Sequence, residues 1–166
     1  QLFGQEEPGR QNLKNAQRAQ QVQTEEKKQK LARYQGQLQL PGFSTLHQER
    51  LFSGMVLILG AGTIACTIAM ELARSGVGTI KLVSDSLAEL SAARNFLSSL
   101  ESPDTNLTFK LVSEPHLTLL EREVREFDVI VDGLSDWQFK LLASDVAMRA
   151  NRPLVHSYTS GLRCHV

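Results

Sequence analysis

Several features that would commit a protein to a membrane, an oxidising compartment or a polyanion are missing from this chain of 166 residues. No apolar run approaches the roughly 20 residues that cross a bilayer, and the N-terminus has no apolar signal core. The two cysteines, Cys66 and Cys164, are too few for a disulfide framework and show no metal-ligand spacing. Eighteen basic residues balance 18 acidic ones, so charge gives no reason to expect nucleic acid or an anionic membrane as a partner. We therefore expect a cytoplasmic protein without a metal-ligating cluster, a nucleic-acid partner or a membrane partner.

The first 30 residues have little to bury. Gln, Lys, Glu, Asn and Arg dominate there, and such a segment cannot fold alone. We expect residues 1–30 to form a polar arm that is helical or disordered, and the absence of Gly and Pro from Gln11 to Gln35 favours a helix. Pro41-Gly42 should turn the chain into a domain that we place at 31–166. Because the chain starts at Gln1 rather than methionine, a processed N-terminus is also considered.

An uninterrupted apolar run meets a glycine turn at Met55 to Ala65, which reads Met-Val-Leu-Ile-Leu-Gly-Ala-Gly-Thr-Ile-Ala. A run without polar alternation is typical of a parallel strand buried on both faces. Gly60 would allow the tight turn, Gly62 the close approach of a ligand, and the small Ala65 the packing of helix on strand. The first amides of that helix would then face a phosphate.

Strand and helix patterns alternate from residue 55 to residue 157, which predicts an α/β, Rossmann-like three-layer fold with a parallel sheet. The predicted strands are 55–59, 79–83, 107–112, 127–131 and 154–157, and Ser135 is predicted to cap the helix that runs to Ala150. Ligands of such sheets bind at the carboxyl ends of the strands. The segments expected to line that crevice are 60–65, 84–86, 133–136 and 158–161.

The order of landmarks resembles one known family. Its marks here are Arg33-Tyr34, Leu40-Pro41-Gly42, the glycine turn, Ser75 to Ile80, the strand that ends at Asp132, and Arg152 to Val155. Together they resemble the ubiquitin-like-protein activating enzymes, which include the bacterial ThiF and MoeB type adenylyltransferases and the eukaryotic E1 enzymes. The resemblance implies a dimeric domain that binds ATP and Mg²⁺ and adenylates the C-terminal glycine of a small protein. It also implies that the domain continues beyond Val166.

The resemblance assigns roles position by position. It makes Arg33 and Asp136 the catalytic candidates, for phosphate and Mg²⁺ respectively. The cofactor-binding candidates are Gly60, Gly62 and Ala65 of the glycine turn, Asp85 after the second predicted strand, and Arg94 in the helix that follows it. No residue is assigned as a dedicated metal ligand.

Six features depart from the family pattern, and they concern the nucleotide and phosphate site. Gly36 replaces a second arginine, and Thr63 and Ala65 replace loop glycines. Ser84 aligns with the ribose acid, so Asp85 serves only if the strand end slips by one residue. The Asn-x-x-Arg pair lacks its Asn and shifts its Arg to Arg94, a following lysine has no counterpart, and Ser135 aligns with the magnesium Asp.

These departures lead to three hypotheses. The first is a degenerate activating-enzyme domain, a noncatalytic binding or regulatory subunit of a dimeric assembly. The alternative is an ATP-dependent adenylyltransferase that activates the C-terminus of a ubiquitin-like or sulfur-carrier protein, with the missing charges supplied by a partner chain. The third is an NAD-binding Rossmann domain in which Asp85 takes the ribose hydroxyls.

Simpler structural roles stay open for several residues. Asp132 could cap the turn after its strand, and Asp136 could stabilise a helix start. Cys66 is expected to be a buried small side chain rather than a nucleophile. The four histidines, His47, His116, His156 and His165, show no spacing of ligands or of a relay and are expected to be structural.

Overall fold

A computed structural model describes residues 8–100, 102–112, 117–160 and 163–165. The chain divides into two compact units, 1–48 and 49–166. The first unit holds α1 (Pro8–Ala32) and α2 (Gln35–Leu38), and the unit boundary falls within α3 (Thr45–Ser53). Side chains 17–29 of α1 are all exposed, so the polar helical arm expected from composition is confirmed. The domain boundaries at 30 and 31 stay a prediction.

The second unit contains a five-stranded parallel sheet with the order β3-β2-β1-β4-β5. Its strands are β1 (Met55–Leu59), β2 (Thr79–Ser84), β3 (Asn106–Leu111), β4 (Val129–Asp132) and β5 (Leu154–His156). Its helices are α4 (Thr63–Arg74), α5 (Leu87–Leu97), α6 (Leu117–Arg125) and α7 (Trp137–Ala150). A two-stranded antiparallel sheet of β6 (Tyr158–Ser160) and β7 (Arg163–His165) follows, which the sequence did not predict. The predicted Rossmann-like α/β fold is confirmed.

The two faces of the sheet explain the three layers. Along β1, Ile58 faces a cluster that includes α4 and α5, whereas Leu57 faces one that includes α6 and α7. Both side chains are fully buried, as expected for a parallel strand covered on both sides. The α4 side of the first cluster is made of small residues, Ala65, Ala69 and Ala73, so this helix can lie close to the strands.

Among the described residues, no helix combines the length and the apolar character that membrane crossing demands. The longest helix, α1, is rich in Gln and Lys and therefore cannot serve as a span.

Candidate functional site

The carboxyl ends of three neighbouring strands meet beside the glycine turn. Leu59 at the end of β1 is paired with Val83 on one side and with Asp132 on the other. From β1 the chain goes to β2 on one side, and it later crosses to β4 on the other. The gap between β1 and β4 is therefore the topological switch point, where open α/β sheets bind ligands.

Gly60 is required by the chain's own packing. Its φ is +100°, and a Cβ there would lie 2.8 Å from the carbonyl oxygen of Gly133. Gly133 is in turn pressed against Ala65, because a Cβ on Gly133 would lie 2.9 Å from the Ala65 Cβ. Ala65 is fully buried. Gly60 and Ala65 therefore shape the turn without offering a surface to a ligand.

Gly62 differs from its neighbour. It precedes the first turn of α4 with φ −72°, a conformation open to any residue, and no described atom lies within 4 Å of the place a Cβ would take. The N-cap provides no side-chain hydrogen bond to the first amides of α4, which have no partner within the helix. The space in front of Gly62 can therefore admit a group that accepts hydrogen bonds from these amides.

An apolar cavity of about 50 Å³ opens at the same edge. Its apolar wall comes from β1, β2, α6, α7 and the segments after β3 and β4, and consists of Leu59, Val83, Val112, Leu120, Leu134, Phe139 and Ala143. Asp85 is exposed at its rim, directly after the buried Ser84. Among its lining residues the cavity thus pairs an apolar surface with a single carboxylate.

The end of β4 carries a buried ion-pair network. Asp132 is fully buried, and its Oδ2 accepts a hydrogen bond from Lys140 Nζ at 2.9 Å and lies 2.8 Å from His156 Nδ1. Its Oδ1 accepts from the backbone amide of Leu134 at 3.0 Å. Lys140 Nζ also donates to the carbonyl oxygen of Ser157 at 2.9 Å, and Ser157 Oγ donates to the carbonyl of Asp132 at 2.8 Å. The network ties the ends of β4 and β5 to the first turns of α7.

Asp136 has a structural role in this arrangement. It is the N-cap of α7, and its Oδ1 accepts from the amides of Gln138 at 2.7 Å and Phe139 at 3.3 Å. The prediction that Ser135 caps this helix is therefore wrong by one residue. A carboxylate accepts hydrogen bonds from these amides, as a serine hydroxyl would, and its charge also interacts favourably with the positive end of the helix dipole. This explains why the cap is Asp136 rather than Ser135.

Of the two predicted arginines, Arg94 lies away from the strand ends. Arg94 is exposed in the last turn of α5, and its guanidinium carbon lies 5.1 Å from the centre of the Phe109 ring. It sits seven residues after the start of α5 and hence roughly 10 Å along that helix from the strand ends. Arg33 is exposed in the turn after α1, within the first compact unit. Gly60, Ala65, Gly62, Asp85 and Asp136 are the predicted residues that the edge brings together.

Lys140 and His156 were not expected at the site. One signal for Lys140 was its place in the first turns of the helix after β4, because helical side chains lean towards the N-terminus. The signal for His156 was the strand register, since it is the direct parallel neighbour of Asp132. The expectation that His156 is structural did not foresee this contact. His116, and the side chains of His165, Cys164 and residues 158–161, lie outside the described part of the chain.

Cys66 is confirmed as a buried side chain in α4, and its Sγ donates to the carbonyl oxygen of Ala61 at 3.4 Å. Burial, followed by the charge of Glu89, raises the pKa of this thiol. A thiol with a raised pKa is a poor nucleophile, so Cys66 has a packing role.

The side chains at the end of β4 do not suit Mg²⁺. This ion prefers free carboxylate oxygens and keeps several waters, whereas Asp132 is fully buried with both oxygens engaged. One carboxylate oxygen of Asp136 already accepts hydrogen bonds from the first turn of α7, and Ser135 has no carboxylate. Within the described residues, no group of three or more His, Cys, Asp or Glu side chains is arranged to hold a metal.

Comparison with known proteins identifies similar sequences and similar folds. The ThiF family profile matches residues 34–97. The chain is similar to the adenylyltransferase and sulfurtransferase MOCS3 of Oryza sativa subsp. japonica, with 27% identity over 80% of this chain and 28% of that protein. It is also similar to the adenylyltransferase and sulfurtransferase uba4 of Neosartorya fischeri, with 32% identity over 74% of this chain and 27% of that protein. The chain thus spans less than a third of these curated relatives.

Solved structures share the fold. The tRNA N6-threonylcarbamoyladenosine dehydratase TcdA of E. coli, in complex with ATP, matches with a TM-score of 0.65 and 17% identity over 80% of this chain and 61% of that chain. E. coli MccB with ATP matches with a TM-score of 0.56 and 21% identity over 67% of this chain and 38% of that chain. At these identities the likeness is one of fold.

Proposed function

The chain belongs to the ThiF family, and from that premise we propose that residues 49–166 bind ATP at the carboxyl edge of the sheet and serve the adenylation of a protein C-terminus. The open space at Gly62, in front of the uncapped first turn of α4, carries this proposal. Helix amides that face open space bind phosphate oxygens well. The apolar cavity, with Asp85 at its rim, is smaller than an adenosine and would contact one face of its base or ribose.

The reaction follows from the name adenylyltransferase that the relatives carry. A carboxylate oxygen of the substrate protein attacks the α-phosphorus of ATP, the bond to the β-phosphate oxygen breaks, and pyrophosphate leaves with its electron pair. The product is a mixed anhydride of the C-terminus and AMP. The substrate class is a ubiquitin-like or sulfur-carrier protein.

A partner chain completes the charge at this site. Negative charge builds on the phosphates during the transfer and needs cationic neighbours. Arg94 is committed to Phe109 on the flank of the sheet, and the carboxylates at the end of β4 are engaged. We therefore propose a dimeric assembly, either of this chain with itself or with an activating-enzyme subunit.

A second candidate function is a noncatalytic binding subunit. It is favoured by the engagement of Asp132 and Asp136 in internal hydrogen bonds and by Ser135 at the position of the family's magnesium Asp. In this case nucleotide binding would stabilise the assembly without transfer.

The first test is calorimetric titration of the full chain with ATP and with NAD. We expect ATP to bind more tightly, and Gly62→Val to weaken it about ten-fold by filling the space in front of the helix amides. Thr67→Val is the matched control, because it puts the same side chain at an exposed site one turn further along α4. Equal ATP affinity of Gly62→Val and wild type would contradict the site, and tighter binding of NAD would indicate a dinucleotide domain.

The second test separates the two functions. Exchange of labelled pyrophosphate into ATP, measured with a candidate ubiquitin-like protein and the assembled complex, is expected if the chain takes part in adenylation. ATP binding without exchange in any assembly would favour the noncatalytic subunit.

A further inference from the structure

The buried carboxylate of Asp132 is already paired with a cation, the ammonium group of Lys140. Lys140 Nζ is 2.9 Å from Oδ2, and the Lys140 side chain is 19% exposed, whereas the Asp132 side chain is fully buried. A buried carboxylate is tolerated when an opposite charge and hydrogen bonds compensate its lost hydration. A Mg²⁺ ion on Oδ2 would have to displace both Lys140 and His156 and would bring waters into a closed space.

Lys140 binds a residue that lies at the topological switch point between β1 and β4. Asp132 is the strand neighbour of Leu59, and the next residue, Gly133, donates its amide to the Leu59 carbonyl and packs on Gly60. The Lys140 ammonium lies between Asp132 and the carbonyl of Ser157, at the ends of β4 and β5. It is thus fixed one strand away from the open turn at Gly62.

The ammonium group has donor capacity left. A lysine carries three N–H donors, and towards the described residues Lys140 uses two of them, on Asp132 and on Ser157. Its partial exposure leaves the third free to meet an anion at the edge of the sheet. A lysine whose position is fixed by two acceptors is a preorganised point charge for phosphate.

We propose that the Lys140 ammonium takes the place of a divalent cation at this edge, so that the chain binds the phosphates of its nucleotide without Mg²⁺. This inference rests on the proposed ATP site and adds to it the source of positive charge. Asp132 acts as a positioning residue, because it holds Lys140 and does not itself face the nucleotide.

The test is calorimetric titration of the full chain with ATP, once in excess Mg²⁺ and once in EDTA. We expect dissociation constants that agree within about three-fold, since no protein carboxylate at the end of β4 needs the metal. ATP binding that is ten-fold or more tighter in Mg²⁺ would overturn this inference and leave the proposed function standing. Absence of ATP binding in both buffers would overturn both.

Two variants examine Lys140 itself. Lys140→Met leaves Asp132 with a buried charge and risks misfolding, so Asp132→Asn/Lys140→Met removes both charges at nearly constant volume. In EDTA we expect the double variant to bind ATP about ten-fold more weakly, equivalent to about 1.4 kcal/mol, and adenosine with unchanged affinity. Lys81→Met is the matched control, because it removes another lysine that is bonded to a carboxylate, Glu123, on the flank of the sheet.

A purely structural lysine would give a different result. If the folded double variant, checked by circular dichroism and thermal melting, bound ATP as tightly as the Lys81→Met control, the inference would be wrong. Equal losses for ATP and adenosine would also overturn it, because they would show a distorted edge rather than a missing phosphate contact.

Discussion

Two carboxylates in the second compact unit are held by lysines, one at the edge of the sheet and one on its flank. Asp132 at the edge is fully buried and is bonded by one lysine and one histidine. Glu123 on α6 is 9% exposed and is bonded by two lysines, Lys81 of β2 and Lys110 of β3. Both clusters join a helix to strand residues, and both neutralise a carboxylate that has lost water.

The difference lies in what surrounds each cluster. Lys81 also lies 5.6 Å from the centre of the Phe127 ring and the Lys110 side chain is 42% exposed, so the flank cluster lies between an aromatic ring and solvent. The edge cluster instead lies at the end of β4, beside the strand that leads into the glycine turn. Charge pairing alone therefore does not identify a site in this fold, and it is the place of the Asp132–Lys140 pair at the switch point of the sheet that supports the proposed role of Lys140.

The largest expected effect is that of Lys140→Met. Among the described residues it leaves the fully buried Asp132 with His156 as its one side-chain partner, so we expect a loss of about 3 kcal/mol in the free energy of unfolding. Urea denaturation followed by circular dichroism measures it. Asp132→Asn/Lys140→Met should recover most of the loss, because no uncompensated charge remains. A single variant as stable as wild type would contradict the proposed burial of the network.

Glu123→Gln should lower the free energy of unfolding by less, about 1 kcal/mol, because Lys81 and Lys110 are partly exposed and can be hydrated when the carboxylate is absent. The same denaturation experiment measures it. A loss equal to that of Lys140→Met would show that the flank and edge clusters stabilise the fold equally.

A smaller effect is expected in the dependence of stability on acidic pH. Burial by itself would raise the pKa of Glu123, but hydrogen bonds and charges from Lys110 and Lys81 outweigh it and lower the pKa below the ordinary value of 4.5. The charged form thus stabilises the fold above about pH 4.5, and this contribution is lost as the pH falls through the lowered pKa.

The measurement compares wild type with Glu123→Gln between pH 3 and pH 7, a range of roughly four units around the ordinary pKa. The difference in unfolding free energy should be constant above about pH 4.5 and shrink below it. A difference that grows on acidification would reverse the sign of the coupling.

The elements whose pattern is purely local were predictable. Residues 55–59 form β1 as expected, because an unbroken aliphatic run ends at a glycine with positive φ. The strand predicted at 127–131 instead runs from Val129 to Asp132. Asp128 instead caps the start of β1, because its Oδ2 accepts a hydrogen bond from the amide of Met55 at 2.9 Å. No pattern within one segment contains that contact.

The site was less predictable than the fold for the same reason. Gly60 and Gly62 could be found from spacing, but only the structure separates the glycine that the packing requires from the glycine that it does not. Lys140 and His156 reach Asp132 from positions 8 and 24 residues away, on two different elements. Such a contact depends on sheet order and helix placement, which the alternation of strands and helices leaves undetermined.

The smallest effect is expected for an ion pair that neither cluster contains. Arg74 and Glu71 form an i,i+3 pair on α4 with side chains 58% and 60% exposed. Water screens such a pair, so Arg74→Gln should change the unfolding free energy by no more than about 0.5 kcal/mol, and less at high salt. If denaturation in 1 M salt, where the screening length is roughly 3 Å, left the effect of Lys140→Met intact and erased that of Arg74→Gln, burial rather than charge would set the order of the series. A salt-sensitive Lys140→Met would place the edge network in contact with solvent and bring it closer to a surface pair.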